Sequence, residues 1–536
     1  MDWISSLSSQ GSSRNVWTAT AVVTCLALFQ LFRYKQQQRF RREYGEADHE
    51  LPFSTISIWG LTIGPGIEYH WKERFKLYKN NEKELLVLRP KVFGDPYFFT
   101  NSPEVLRQVN GQGWDKPEWG VEAMRFWGEN LVSAKGETWK RHRRILQPAF
   151  NSKTYEMVWN ESNRFYREMI ATGNWPHQSG LTIDITDAQK MTGRFTLCVI
   201  LSCGFGIKLG WDEKVHVKKD DPLTLDDGIH LQGSNILLVT YAPKWILNLP
   251  FKKLRFIRVA TDMMRSWFKT SLAEKRALTE REGALSTQPL GGKDIFTRLV
   301  QASDESEKVQ ISESEIIGNT WVFFFAGHET AATVLAACFC LLAVNKEEQE
   351  IIHREVHEAM KQSSDDDELR FEAYESLIKT RAAFVEALRM MPPGNFMVRE
   401  AVEDTILQVP SFENGIESKK SVPIRKGAVI GIDIVGIQYN PRLYPEPEKF
   451  KPSRWYGVTS DEAYSAFSLG NRVCIGKKFA LTESVCFLAN VMRDYTVEPL
   501  LKPGETLDSW KDRVLNETKC ELTMTLVSSP VTFRRR

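Results

Sequence analysis

"FSLGNRVCIG" spans residues 467–476 of a 536-residue chain that has only eight cysteines. Phe467, Gly470, Arg472 and Gly476 all stand within seven residues of Cys474. A lone cysteine in a glycine-bearing loop is by default a small hydrophobe. Here its neighbours point elsewhere. The two glycines permit a close backbone approach that a side chain would obstruct, which suits a loop pressed against a flat ligand. Phe467 can shield the sulfur from water, and N–H groups in such a turn stabilise a thiolate, the form that binds metal. No second cysteine or histidine lies nearby, so a tetrahedral zinc site is excluded on ligand count. A single axial thiolate on haem iron fits the count, and Arg472 is then positioned to meet a haem propionate.

The decapeptide resembles the haem-binding loop of the cytochrome P450 family, F-x-x-G-x-R-x-C-x-G, at every fixed position. Further signatures of that family follow in order along the chain. Glu386 and Arg389 in "FVEALRMM" match E-x-x-R. Alone, such an i, i+3 pair is a common surface feature of helices. It gains weight from "FKPSRW" (450–455), and the resemblance places Arg454 with Glu386 and Arg389 in a buried triad that locks the haem loop.

"AGHET" (326–330) matches A-G-x-[DE]-T. An acid beside a hydroxyl in so apolar a helix carries a desolvation cost that a purely structural role does not repay. The resemblance implies an oxygen-binding kink, with Ala326 and Gly327 leaving room above the iron and Thr330 and Glu329 handling protons. The zinc motif H-E-x-x-H fails because position 332 is alanine. In "GETWKRHRRILQPAF", Trp139 and Arg143 share a helix face, and the resemblance assigns both, with Arg399, to the propionates. The chain departs from the family at "QYNP": Gln438 stands where many members have histidine, which leaves that propionate contact open or made by an amide.

Length alone suggests two to four domains, but no linker after the Gly/Pro hinge is long enough to separate two globular domains, so one large domain is the simplest reading. The chain is 42% apolar, and 70 Lys and Arg against 68 Asp and Glu give a net charge of +2, with no basic field for nucleic acid. The cysteines form no C-x-x-C pair and no disulfide framework, so most of the chain belongs in a reducing compartment. Residues 16–32 carry no charge and are followed by Arg33, Lys35, Arg39, Arg41 and Arg42. This pattern reads as a single N-terminal anchor with the remainder cytosolic. The division expected is a polar stub over 1–15, the anchor over 16–32, a basic flank and Gly/Pro hinge over 33–66 and a catalytic domain over 67–536.

Helical patterns dominate, with strands expected only at "LLVLRP", "FMVREAV", "TILQV" and "AVIGIDIV", so the fold class is mainly α with a minor β-sheet region. The longest helix opens with Ser312 and Glu315 as a capping box and runs to about Asn345; being apolar nearly all round, it should cross the centre of the protein. Loops are expected at 279–294, 361–369 and 410–421.

The resemblance implies a microsomal haem-thiolate monooxygenase that binds haem b (heme b), uses O2 as co-substrate and sits at the endoplasmic reticulum membrane. No flavin or nicotinamide fingerprint occurs, so electrons must come from a partner. By resemblance that partner is an NADPH-cytochrome P450 reductase, docking around Lys140, Arg141, Lys477 and Lys478. Two other classes stay open: an isomerase or dehydratase on the same fold that needs no reductase, and a non-catalytic haem carrier. The pocket positions are Trp119, Met124, Phe126 and Trp127, then Phe323 and Phe324, then Asn395, Phe396 and Met397. Their apolar, aromatic character suits a lipophilic small molecule such as a terpenoid or fatty acid. The whole chain looks like a fungal member of secondary metabolism.

Overall fold

Ser312 opens the helix around which the molecule is organised. In the computed structural model its hydroxyl accepts the N–H of Glu315 at 3.3 Å, while the Glu315 carboxylate accepts the N–H of Ser312 at 2.8 Å. Reciprocal capping satisfies two donors that a helix start leaves bare. The helix then runs unbroken over Glu313–Ala343, and most of its residues are buried. Among the described residues it is the one helix long and apolar enough to cross a membrane, but its burial in protein makes it a core helix. The described residues are 20, 24–25, 27–32, 34–35, 37–51, 69–78, 83–90, 95–214, 223–243, 245–283, 294–301, 310–361, 368–413, 416–458, 465–520 and 523–536. The stub and residues 16–19, 21–23 and 26 of the expected anchor lie outside them, as does most of the Gly/Pro hinge; residues 27–32 are helical and exposed.

The chain forms two units. The first comprises Met1–Ile67 and Leu85–Phe99. Within it, strand His49–Leu51 runs parallel to Leu85–Pro90, and Phe40 and Tyr44 pack on Phe98. The second comprises Glu68–Glu84 and Thr100–Arg536 and contains the central helix.

Helix Ala188–Val199 is the central helix's main neighbour. Thr192 and Thr196 lie one turn apart on it and donate to the central-helix carbonyls of Ala332 (2.8 Å) and His328 (2.9 Å). Helix Gly136–Leu146 is tied to the start of the central helix: His142 Nε2 lies 3.1 Å from Glu315 Oε1, and its other ring nitrogen 3.3 Å from Asn319 Nδ2. Helix Ile378–Met390 ends before Pro392 and Pro393, as the ring of proline requires. Helix Lys477–Asp494 follows the cysteine loop directly.

Strand Phe396–Ala401 lies between Trp114–Asp115 and Val429–Asp433, antiparallel to both, with Arg399 opposite Ile430. Val429–Asp433 ends because the Asp433 carboxylate caps the short helix Ile434–Gln438, accepting the N–H of Gly436 at 2.7 Å. A second sheet pairs Val531–Arg535 with Tyr495–Pro499 and Thr182–Ile185. The expected loop over 410–421 is instead part of a hairpin of Thr405–Glu413 and Ile416–Ile424. Its exposed Ser418, Lys419 and Lys420 gave that strand a loop's composition. Likewise helix Lys252–Gly283 runs into the loop expected from 279.

Candidate active site

The cysteine loop is a tight turn with two residues in the left-handed region, Ser468 at φ +66° and Gly470 at +69°. A serine there is uncommon and must be held. Asn110 holds it, donating from Nδ2 to Ser468 Oγ at 3.0 Å and to Leu469 O at 2.8 Å. The Cys474 N–H closes the turn on Phe467 O at 2.9 Å. The two glycines serve different ends. A Cβ on Gly470 would meet nothing closer than 3.7 Å, so that position needs the conformation and not the space. Gly476 has an ordinary backbone and lies beside the sulfur, where a Cβ would stand in ordinary contact with Cys474 Sγ at 4.0 Å.

Cys198, Cys203, Cys338, Cys340 and Cys486 are buried, whereas Cys474 is exposed. Yet burial pushes the Cys474 thiol above its ordinary range, opposed by the Gly476 N–H and by the charges of Arg143 and Lys477. An accessible sulfur under a desolvation cost lies in an internal recess and not on the outer surface. Donor N–H groups and cations around a single thiol fit a thiolate that would ligate haem iron.

Four cations gather around this loop. Arg143 donates to Val473 O at 3.0 Å. Arg472 donates to Ala134 O at 3.2 Å and to Asp115 Oδ1 at 3.1 Å, and its guanidinium lies 4.1 Å from the centre of the Trp139 ring. Arg399 donates from Nε and Nη2 to Asn110 Oδ1 at 3.0 and 2.7 Å. Lys116 donates from Nζ to Val132 O. Burial and then the neighbouring Arg472 pull Arg399 down to about 10; burial, Arg472 and Arg399 hold Lys116 well below the usual lysine range. Asp115 is the acid that opposes both shifts. Such a recess is short of negative charge, and the two carboxylates of a haem match the deficit. Trp139, Arg143, Arg472 and, through Asn110, Arg399 are thus brought to the cysteine loop.

The loop is braced from behind. Glu386 and Arg389 are both buried, joined at 2.9 and 3.0 Å, and Glu386 also accepts from Arg454 Nε at 3.2 Å and Trp455 Nε1 at 2.8 Å. Arg389 Nη1 donates to Gln438 O at 2.8 Å, and the Gln438 amide donates to Ser465 Oγ at 2.8 Å. Ser465 O in turn accepts the N–H of Ser468 at 2.9 Å. Gln438 therefore carries the brace into the loop.

On the central helix Ala326 is exposed although its neighbours up to Phe325 are buried, the same mark of an internal recess that Cys474 bears. Gly327 turns elsewhere: a Cβ on it would come within 3.1 Å of Ile200, so its bareness serves packing against that residue. The helix is continuous through 326–330, and the Thr330 hydroxyl donates back to Ala326 O at 2.8 Å. Glu329 accepts from Thr523 Oγ1 at 2.9 Å. Of the pocket positions, Met124, Phe126, Phe396 and Met397 are half-buried, Asn395 is buried and donates to Cys520 Sγ at 3.5 Å, and Trp119 is 46% exposed. Trp127 and Phe323 are buried; Phe324 is a core residue, stacked on Phe205 at 4.1 Å and against Trp267.

Asn110, Asp115, Lys116 and Thr523 escape the sequence reading. Asn110 lies 289 residues from Arg399, and no local pattern marks any of the four. Of the expected docking cations, Arg141 is paired with Glu315 and Lys140 with Glu137, while Lys140 and Lys478 are exposed.

Comparison with known proteins agrees with this geometry. The family model for Cytochrome P450 matches residues 54–524. Cytochrome P450 monooxygenase 124 of Postia placenta is 30% identical, covering 80% of each chain. The cyclooctat-9-en-7-ol 5-monooxygenase of Streptomyces melanosporofaciens is 28% identical over 76% of this chain and 80% of its own. Among solved structures, the crystal structure of a cytochrome P450, CYP102L1, shares the fold with a TM-score of 0.63 at 20% identity, covering 86% of this chain and 93% of that one. The chain belongs to the cytochrome P450 family and is a cytochrome P450 monooxygenase.

Proposed function

We propose that this monooxygenase inserts one oxygen atom of O2 into a lipophilic small molecule, of terpenoid or related secondary-metabolite type, with electrons drawn from NADPH through a separate reductase. Haem bound at this site supplies the iron at which dioxygen is reduced and activated. Cys474 would ligate that iron as a thiolate; Phe467, Gly470 and Gly476 shape the loop around it. Arg472, Arg143, Trp139 and Arg399 hold the propionates. The single observation that carries the reading is the accessible Cys474 sulfur in a desolvated, cation-rich recess.

Glu329 and Thr330 would hold and move protons beside the haem site: the Thr330 hydroxyl is an exchangeable donor, and the carboxyl of Glu329 would relay protons to it. Ala326 gives the space in which they act. The half-buried Met124, Phe126, Phe396 and Met397 favour an apolar substrate. The Streptomyces relative, whose name gives a lipophilic alcohol as its substrate, supports the same class. The reductase docks on the basic face around Lys140, Arg141, Lys477 and Lys478, of which Lys140 and Lys478 are exposed. Residues 16–32 anchor the chain in the endoplasmic reticulum membrane, and Trp245 and Phe251, 63% and 62% exposed, add a shallow contact.

The test is a panel of terpenoids, fatty acids and aromatic amines added to the haem-loaded protein, followed by turnover with reductase and NADPH. A terpenoid should shift the Soret band and yield a product heavier by one oxygen atom. Binding confined to the amines, or product formed without NADPH, would contradict the proposal.

A further inference from the structure

The C-terminal hairpin reaches the acid of the acid–alcohol pair. Strand Thr518–Cys520 pairs antiparallel with Met524–Leu526, Cys520 opposite Met524. Thr523, 6% exposed, donates from Oγ1 to Glu329 Oε1 at 2.9 Å. Two residues on, Thr525 donates to Gln189 Oε1 at 2.7 Å, and Gln189 Nε2 donates to Thr333 Oγ1 at 2.9 Å. The spacing is that of a strand meeting a helix. Residues i and i+2 of a strand stand about 6.6 Å apart on one face, and residues i and i+4 of a helix rise about 6 Å. Thr523, just before the strand, and Thr525 thus reach Glu329 directly and Thr333 through Gln189. On its other side the hairpin is held by the Met524 N–H on Pro393 O at 2.9 Å and by Asn395 on Cys520 Sγ.

We propose that Thr523 is a positioning residue for Glu329, and that the hairpin is therefore part of the proton-delivery apparatus. The proposal rests on the reading of Glu329 and Thr330 given above. A hydroxyl bonded to a carboxylate makes one of the stronger hydrogen bonds, and it fixes the rotamer of the acid. Glu329 held by Thr523 stays on the face from which it serves Thr330. Released, it turns toward other partners and proton delivery falls behind electron delivery. Dioxygen then leaves after two electrons and two protons as hydrogen peroxide, with one NADPH consumed. Full delivery takes four electrons and four protons to two waters, with two NADPH consumed.

The haem-loaded full chain with reductase and NADPH, without added organic substrate, reads this directly as NADPH consumed and peroxide formed per O2. Thr523→Val, which keeps the shape and removes the donor, should raise peroxide per O2 about threefold, a loss of the order expected for one hydrogen bond. Thr523→Ser should behave as wild type, and T523V should add nothing in a Glu329→Gln background. In the resting protein without NADPH, the carboxylate infrared band of Glu329, isolated by subtracting the E329Q spectrum, should shift in T523V and stay in place in T523S. An unmoved ratio and band in T523V, or a full T523V effect in the E329Q background, would overturn the proposal while leaving the acid–alcohol reading intact. An E329Q protein with the wild-type ratio would overturn both.

Discussion

Glu386 and Arg389, one helical turn apart, form an ion pair wholly excluded from water, and their remaining hydrogen-bonding capacity is spent on two other segments of the chain, Gln438 and 449–455. Glu386 takes the N–H of Lys451, the Arg454 guanidinium and the Trp455 indole; Arg389 gives to Gln438 O and Lys449 O. A buried ion pair is a poor source of stability in itself, because desolvation offsets the attraction. Its value here is positional, since Gln438 leads through Ser465 into the cysteine loop.

Removing one charge should therefore cost far more than removing one hydrogen bond. Arg389→Met leaves Glu386 as a buried, half-paired carboxylate and should destabilise by about 3–5 kcal/mol, with loss of haem. Trp455→Phe keeps the ion pair and should cost about 1–3 kcal/mol. Urea midpoints and haem content per protein would report both; equal costs would contradict a lock built on the pair.

The cation recess predicts an order of haem release. Arg399→Leu removes a guanidinium and frees Asn110 from it, and should speed transfer of haem to an excess of apomyoglobin by about tenfold or more. Lys116→Met, which removes a charge from the same recess, should speed it by a smaller factor. Rates equal to wild type in both would mean that the recess does not serve the propionates.

Asp433 sets a pH dependence of stability. Its side chain is fully buried, and burial pushes its carboxyl up to about 7 against the partial pulls of the Gly436 N–H and the Tyr78 hydroxyl. The folded state thus holds this proton more tightly than the unfolded state, whose aspartate titrates near 4. Its contribution to stability is complete below about pH 4, falls as pH rises toward 7, and is lost above that. Asp433→Asn cannot ionise and still offers an oxygen to Gly436. Between pH 5 and 8 its urea midpoint should fall less steeply than that of wild type; parallel profiles would contradict the assignment.

Thr330→Ala should keep the haem spectrum and the carbon monoxide complex and still consume NADPH. Peroxide per product, counted with a substrate found in the panel, should rise by roughly tenfold. An unchanged ratio would leave Thr330 as a space-filling residue.

How much of this was legible in the sequence follows from the range of each interaction. The capping box at Ser312 and Glu315, the apolar central helix and the proline stop after Met390 are local signals, and the helices they imply are present. The Glu386–Arg389 pair lies within one turn and was visible as a motif. Asn110 and Thr523 reach Arg399 and Glu329 across 289 and 194 residues, and no periodicity links such positions. Gln438 shows the limit of resemblance: where the family pattern suggests a propionate partner, its amide binds Ser465. Phe324 shows the limit of adjacency, because neighbours on a helix point in different directions and Phe324 turns into the core against Phe205 and Trp267.

The central claim, that Cys474 is the thiolate ligand of a haem held in this recess, is tested most directly by the carbon monoxide difference spectrum of the reduced protein. Wild type should show the red-shifted Soret band of thiolate ligation, and Cys474→Ser should lose that band while keeping wild-type helicity by far-ultraviolet circular dichroism. A Cys474→Ser protein that retains the band, or a haem-loaded wild type that never shows it, would contradict the account.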